Sequence, residues 1–274
     1  MEFDEDAAKM IIGLADHSSF EISLKDFLTF AAKLKANVVE LRLDRLELLS
    51  TLSQTLKIFE IKSILDGYNF KYFVHAPCIN VNLASLNINI RRVSEKTTKK
   101  AVEFAAKINA ELVVSHVGRL SRDYPQRLYE KSMKNAVDSL KRINQFANNI
   151  GIIFTIENDH KSGDYVLAGH SEQINFLIEN VGCKLTFDVG HANTLGKPEE
   201  FIELLKKHIV NVHLHDNNGM EDVHFSLENG IINFKSVFKK FGENIFNLPL
   251  TVECHSIQEL EESVDFLRQK LDYL

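Results

Sequence analysis

The residues with the most chemistry to offer stand at the ends of short apolar runs. His75 closes one run (YFVHAP), His116 the next (LVVSHVG) and Glu157 a third (IFTIEND); Asp188 (KLTFDVGH), His213 (VNVHLHD) and Glu253 (PLTVECHS) follow. Each has an ordinary explanation when taken alone, a structural histidine or a helix-capping acid. Six in succession at equivalent places point to a site instead. Carboxylates gathered in one place repel one another and raise each other's pKa unless a cation or a bound proton intervenes. Imidazole and carboxylate without thiolate is a donor set for Zn²⁺, Mn²⁺, Co²⁺ or Fe²⁺ and, with fewer imidazoles, for Mg²⁺.

Further residues flank that set. His191 lies three positions after Asp188, and Asp222 with His224 makes a D-x-H pair. Spacings this short can bring two ligands onto one ion; substrate binding or helix capping is the alternative. His215, two residues beyond His213, shares its face in an extended strand. His160, His170, His208 and His255 have no partner pattern and read as ordinary, whereas His17 follows the first apolar run, where it could touch a substrate. Glu40, Arg42 and Asp44 share one parity, which leaves a salt-bridged structural role and a substrate role equally open.

The elements that must position these residues repeat from end to end. Apolar runs predict strands over 10–14, 38–43, 72–75, 112–116, 152–157, 184–188, 210–213 and 250–253. Amphipathic helical patterns cover 24–34, 90–108, 129–147, 171–178, 199–207, 234–241 and 258–271, with another over 46–65. Ser23, Ser171 and Ser256 stand where N-caps belong. Runs of Val, Ile and Leu imply strands buried on both faces, as in a parallel sheet. Eight such units in 274 residues average about 34 residues each, the size of a βα repeat. No Gly/Ser linker divides the chain, and neither GxGxxG nor a P-loop occurs, which disfavours an open doubly wound sheet. The expected fold is therefore α/β, a (β/α)₈ TIM barrel forming a single domain over 1–274. In such a barrel the six strand ends converge on one rim, and the loops over 76–89, 158–170 and 215–229 surround it.

Composition narrows the function classes. The chain is 45% hydrophobic and 26% charged, with a net charge of −6, which gives no support for broad attraction to nucleic acid or an anionic membrane. Cys78, Cys183 and Cys254 are odd in number and widely spaced, so free thiols in a reducing cytosol are expected, away from any metal. The acidic start over 1–6 and the lack of a long apolar run predict neither a signal peptide nor a membrane span, hence a cytoplasmic protein.

From VELRLDR through HAP…NLAS, SHVG, IEN, FDVGHA and HLHDNNG-x₂-D-x-H to VECHS, the sequence resembles the xylose-isomerase-like barrel superfamily, which also holds endonuclease IV. The resemblance implies one of two sites. A sugar-isomerase site would hold one divalent ion (Zn, Mn, Co or Mg) on Glu157, Asp188, His213 and Glu253. Glu157 and Glu253 would then move a proton beside a chelated carbonyl of a small-molecule sugar or sugar phosphate, and His191 would bind a hydroxyl. An endonuclease site, of the AP endonuclease family 2 type, would hold up to three Zn on His75, His116, Glu157, Asp188, His191, His213, Asp222, His224 and Glu253, and would cut DNA at abasic sites. All nine positions carry the right residue type.

Several departures weigh on the choice. Cys78 replaces the aromatic after the proline of the endonuclease pattern. The fifth run continues as Glu157-Asn158-Asp159-His160-Lys161, and His213-Leu214-His215-Asp216 is nearer the isomerase wording. Glu228-Asn229-Gly230 shortens a G-x-G, and Gly219 stands where ketose 3-epimerases carry an arginine. Basic rim residues are scattered: Arg91, Arg92, Arg119, Arg122 and Lys161. The expectation is a metal-dependent isomerase or epimerase, with the endonuclease as alternative and a non-catalytic barrel third, disfavoured by the intact Glu157 and Glu253.

Overall fold

The computed structural model describes residues 10–196 and 198–270. The acidic stretch over 1–6 and Leu271 lie outside the described residues.

Eight parallel strands close into a barrel: β1 (Ile11–Ala15), β2 (Val38–Arg42), β3 (Lys71–His75), β4 (Leu112–Ser115), β5 (Ile153–Glu157), β6 (Lys184–Asp188), β7 (Ile209–Leu214) and β8 (Pro249–Val252). Neighbours in sequence are neighbours in the sheet, and β8 returns to β1 with Ile11 opposite Pro249 and Leu14 opposite Val252. Each expected strand forms with ends within one residue of the sequence reading. That residue matters for the site. His75, Glu157 and Asp188 do end strands, but His116 and Glu253 stand one residue past theirs, and His213 is followed by Leu214. Strand ends follow the hydrogen-bond ladder; the direction of a side chain follows alternation, and alternation keeps all six on the inner face.

The helices that cover the sheet are α1 (Leu24–Lys33), α2 (Thr55–Leu65), α3 (Ile88–Lys107), α4 (Tyr129–Asn149), α5 (Ser171–Val181), α6 (Pro198–Leu205), α7 (Phe234–Phe241) and α8 (Ile257–Lys270). Ser23 caps α1, accepting from the Asp26 amide at 3.1 Å, and Ser256 accepts from the Glu259 amide at 3.2 Å. Ser171 is not a cap: His170 holds that place, and Gln173 Oε1 reaches back to accept from the Gly169 and His170 amides, each at 2.9 Å. The pattern over 46–65 breaks into a turn (Leu46–Leu49), a 3₁₀ turn (Ser50–Ser53) and α2. Among the described residues, no helix is long and apolar enough to cross a membrane.

The main core lies between sheet and helices, where residues such as Leu14, Phe104, Phe154, Phe187 and Phe241 are buried. Inside the barrel a small apolar plug of Val38, Phe73, Leu112 and Val114 fills the N-terminal end. Above it the interior becomes polar. Thr155 and Thr186 share a hydroxyl bond of 2.8 Å, Thr251 Oγ1 donates to Asn211 Oδ1 at 2.9 Å, and Asn211 Nδ2 donates to Glu40 Oε2 at 3.2 Å. A register slip between β6 and β7 pairs Thr186 with Asn211 and Asp188 with His213, so both β7 side chains face inward beside those of β6. The strands thus deliver an apolar floor, a hydrogen-bonded middle and a rim of ionisable groups. A short antiparallel ribbon, Arg119–Leu120 with Tyr165–Val166, joins the loops after β4 and β5 and walls one side of that rim.

Candidate metal centre

All nine residues singled out for a metal meet on the rim. Their ligand atoms fall into three groups, each with atoms within 4.8 Å of one another: Glu157 with Asp188, His213 and Glu253; His75 with His116 and Glu157; and His191 with His215, Asp222 and His224. Glu157 belongs to two groups. Its Oε1 lies 3.0 Å from His213 Nδ1, and its Oε2 lies 3.2 Å from His75 Nε2 and 3.1 Å from His116 Nε2.

Most of these histidines are held from behind. A carbonyl oxygen can only accept, so the ring nitrogen beside it carries the proton. His75 Nδ1 donates to the Ala76 carbonyl, His191 Nδ1 to Asn158 and His224 Nδ1 to Glu253, all at 2.8–2.9 Å. His213 is reversed: Nε2 donates to the Glu40 carboxylate at 3.1 Å, leaving Nδ1 toward Glu157, Glu253 and Asp188 at 3.0, 3.4 and 3.9 Å. One nitrogen pinned and the other turned to a cluster of acids is how a protein presents imidazole to a cation. Asp188 is held too. Its Oδ1 accepts from the His191 amide at 2.6 Å, capping the short turn Val189–Thr194. Gly190 in that turn makes room, because a Cβ there would sit 2.1 Å from the His215 ring.

The donor set fits a divalent ion. Buried polar atoms in native structures nearly always find a partner, yet Asp188 Oδ2, His215 Nε2, Asp222 Oδ1 and Glu253 Oε1 have no hydrogen bond, and all four belong to the three groups. The electrostatics agree. Burial works against ionising Glu157, but His116 and His213 overcome it and hold the carboxyl well below its usual range. Burial likewise opposes ionisation of Glu253, and His213 and Arg42 outweigh it, bringing the carboxyl to about 2. His191 and His213 are pushed well above 6.5: burial lowers them, but carboxylates, Asp188 beside His191 and Glu253 beside His213, prevail. Protons on these rings compensate acids that a metal would compensate better. His116 behaves otherwise, because burial dominates and lowers it to about 4, leaving a neutral ring.

Five residues belong to this site although the sequence gave them lesser roles. His215 completes the third group, with Nε2 3.2 Å from Asp188 Oδ1 and 3.4 Å from Asp222 Oδ1; its two-residue offset from His213 was the available signal. His160 is not ordinary: it lies 2.8 Å from Arg119 and 3.8 Å from Asp222, a contact between distant loops that no local pattern carries. His255 stacks on His224 with centroids 4.7 Å apart, and His17 lies 4.5 Å from His255. Glu40, left open by its parity, supports His213. The cysteines stay out of the ligand groups among the described residues. Cys254 points outward, with Sγ 3.6 Å from Ser263 Oγ of α8, as strand alternation requires. A cavity of about 370 Å³ opens over the groups, reaching from Arg42 and Cys78 past His116 and Arg119 to Asp222 and Glu253.

A closed parallel barrel with histidines and carboxylates converging at the C-terminal ends of its strands has the form of the xylose isomerase-like TIM barrels. The chain belongs to that family, whose model matches residues 28–270. An uncharacterised protein of Methanocaldococcus jannaschii is 31% identical over 218 residues, which is 77% of this chain and 74% of that protein. Among solved structures, a D-tagatose 3-epimerase-like protein superposes with a TM-score of 0.86 at 29% identity, covering 96% of this chain and 97% of the other. A D-psicose 3-epimerase from Clostridium cellulolyticum H10, solved with D-tagatose, shares the fold with a TM-score of 0.79 at 16% identity, covering 96% and 99%.

Proposed function

We propose that the protein is a divalent-metal-dependent isomerase or epimerase of a sugar or sugar phosphate, working from one barrel domain in the cytoplasm. The observation that carries this reading is the group of Glu157, Asp188, His213 and Glu253, four inward ligands with two orphaned carboxylate oxygens among them. These four would hold the ion. When bound, a divalent cation there supplies Lewis-acid polarisation of adjacent substrate oxygens, which makes the C–H between them acidic. Glu157 and Glu253 each present a carboxylate within 3.4 Å of His213 Nδ1. One takes the proton from carbon and the other returns it. Asp188 and His213 stay fixed, the first by the His191 amide and the second by Glu40. His191 and His116 line the cavity where substrate hydroxyls would sit. The 29% identity to a D-tagatose 3-epimerase-like protein supports sugar chemistry. Free thiols at Cys78, Cys183 and Cys254 fit a reducing compartment.

A second reading has its own observation. One ion needs one group, and this rim has three, two of them sharing Glu157 and the third reaching Asp188 through His215 at 3.2 Å. Three zinc ions and cleavage of a phosphodiester at an abasic site in DNA would use them all. The rim favours the first reading, because Arg119 is spent on Asp159, Ser162 and His160 and is not left for a DNA backbone. The experiment is metal analysis of the purified protein, combined with proton exchange in D₂O on a panel of ketoses and ketose phosphates. One ion per chain and exchange next to the carbonyl, abolished by EDTA, are expected. Three zincs with zinc-dependent incision of an abasic duplex, and no exchange on any sugar, would overturn it.

A further inference from the structure

The second strand carries one cation that makes no hydrogen bond to any metal ligand among the described residues. Glu40, Arg42 and Asp44 share a face, and a salt-bridged trio was one sequence expectation. The structure does not form it. Glu40 accepts from His213 Nε2 at 3.1 Å and from Asn211 Nδ2 at 3.2 Å. Asp44 turns to the loop after β3, accepting from the amides of Cys78 and Ile79 at 2.8 and 3.3 Å and from the Cys78 thiol at 3.2 Å. Arg42 is left between them with its side chain only 14% exposed. Its guanidinium approaches Cys78 Sγ at 3.8 Å and Glu253 Oε1 at 4.0 Å, and among the described residues it makes no hydrogen bond to oxygen. Glu253 Oε1 is itself without a partner.

A separation of 4.0 Å is too long for a hydrogen bond. Both groups border the cavity, beside the metal ligands. A donor fork and a bare carboxylate oxygen facing one gap leave room for a group that the protein does not provide. Burying a guanidinium without a bonded anion is costly, and its planar fork matches a pair of anionic oxygens better than a single hydroxyl. The other arginine on the cavity wall, Arg119, is already bonded to Asp159. The surrounding acids Glu157, Asp188, Asp222 and Glu253 would repel an anion unless a cation received it.

We propose that Arg42 is a substrate-binding residue that grips an anionic oxygen pair, a carboxylate or a phosphate, carried by the substrate beside the carbon whose proton moves. This rests on the isomerase reading and narrows it to acidic or phosphorylated sugars rather than neutral ketoses.

The test uses metal-loaded protein with two probes, glycolate for the carboxylate arm and inorganic phosphate for the other, in the wild type and in Arg42→Met and Arg42→Lys. Calorimetry should show that Arg42→Met binds the preferred probe about 10- to 100-fold more weakly at unchanged metal content, with Arg42→Lys in between. Millimolar methylguanidinium should partly restore binding to Arg42→Ala, which a structural role would not allow. Which probe responds identifies the anion. Equal binding of both probes by wild type and Arg42→Met overturns the inference, as does proton exchange on a neutral ketose that Arg42→Met leaves undiminished. The latter result leaves the isomerase reading standing. Loss of anion binding in Arg42→Met without exchange on any sugar keeps the anion site at Arg42 and removes the isomerase reading, and with it the placement beside a reacting carbon.

Discussion

Two arginines three positions apart, Arg45 buried and Arg42 largely so, show opposite uses of one side chain. Arg45, just beyond β2, is consumed by the fold: it donates to Asp16 Oδ1 at 2.5 Å and to the Ile22 carbonyl, and it lies 3.6 Å from Glu47. These contacts tie the end of β1 to the chain leaving β2. Arg42 has comparable acids around it and hydrogen-bonds to none of them. The same contrast separates the regions they stand in. At the corner between β1 and β2 one Asp16 oxygen is bonded by Arg45 and the other has no partner, whereas the rim from β3 to β8 gathers four unpartnered atoms on one cluster, Asp188 Oδ2, His215 Nε2, Asp222 Oδ1 and Glu253 Oε1. A buried charge that the chain itself completes is structural; one left incomplete is waiting for something that binds.

The largest expected effect tests the rim. Glu157→Gln or Glu253→Gln should lower the rate of proton exchange in D₂O by about 100- to 10,000-fold, the range of a lost acid–base group. Circular dichroism should show an intact fold. A variant that unfolded would put these acids in the same class as Asp16, and the contrast would collapse.

Arg45→Met tests the other side. Removing one member of a buried pair costs about 3–5 kcal/mol, which urea unfolding would register. Burial first, opposed by Arg45, brings Asp16 from 3.8 to about 6. A carboxyl whose folded value is raised contributes stability that is full below its unfolded pKa and declines as pH rises through the folded one. Without Arg45 the Asp16 carboxyl rises further, so the loss should be larger at pH 7 than at pH 4.5, where Asp16 is protonated. A loss below about 1 kcal/mol at both pH values would mean that Arg45 is no more committed than Arg42.

The smallest effect is expected at Cys254, adjacent to Glu253 but turned to the opposite side. Cys254→Ser should change stability by no more than about 1–2 kcal/mol and leave metal content, read by mass spectrometry, as it is. Loss of metal in that variant would show that the outward face of β8 is not independent of the rim.

Much of this arrangement could be read along the chain, because alternation is local. A strand places residues i and i+2 on one face whatever it packs against, so the convergence of His75, His116, Glu157, Asp188, His213 and Glu253 followed once eight strands were recognised. His215 obeyed the same rule. Helix 234–241 was legible to the residue because its apolar period and flanking Asn233 and Gly242 are local signals. The pattern over 46–65 misled because periodicity does not record where a turn interrupts a helix.

What the tertiary structure alone decided is which partner each charged group takes. Glu40 meets His213 across 173 residues, Asp44 meets the Cys78 amide across 34, and Arg119 meets Asp159 across 40. Sequence parity brought Glu40, Arg42 and Asp44 together as equals. Closing the barrel gave two of them partners and left Arg42 beside Glu253, because the choice depends on distances across the ring of strands, which barrel closure sets and alternation along one strand does not.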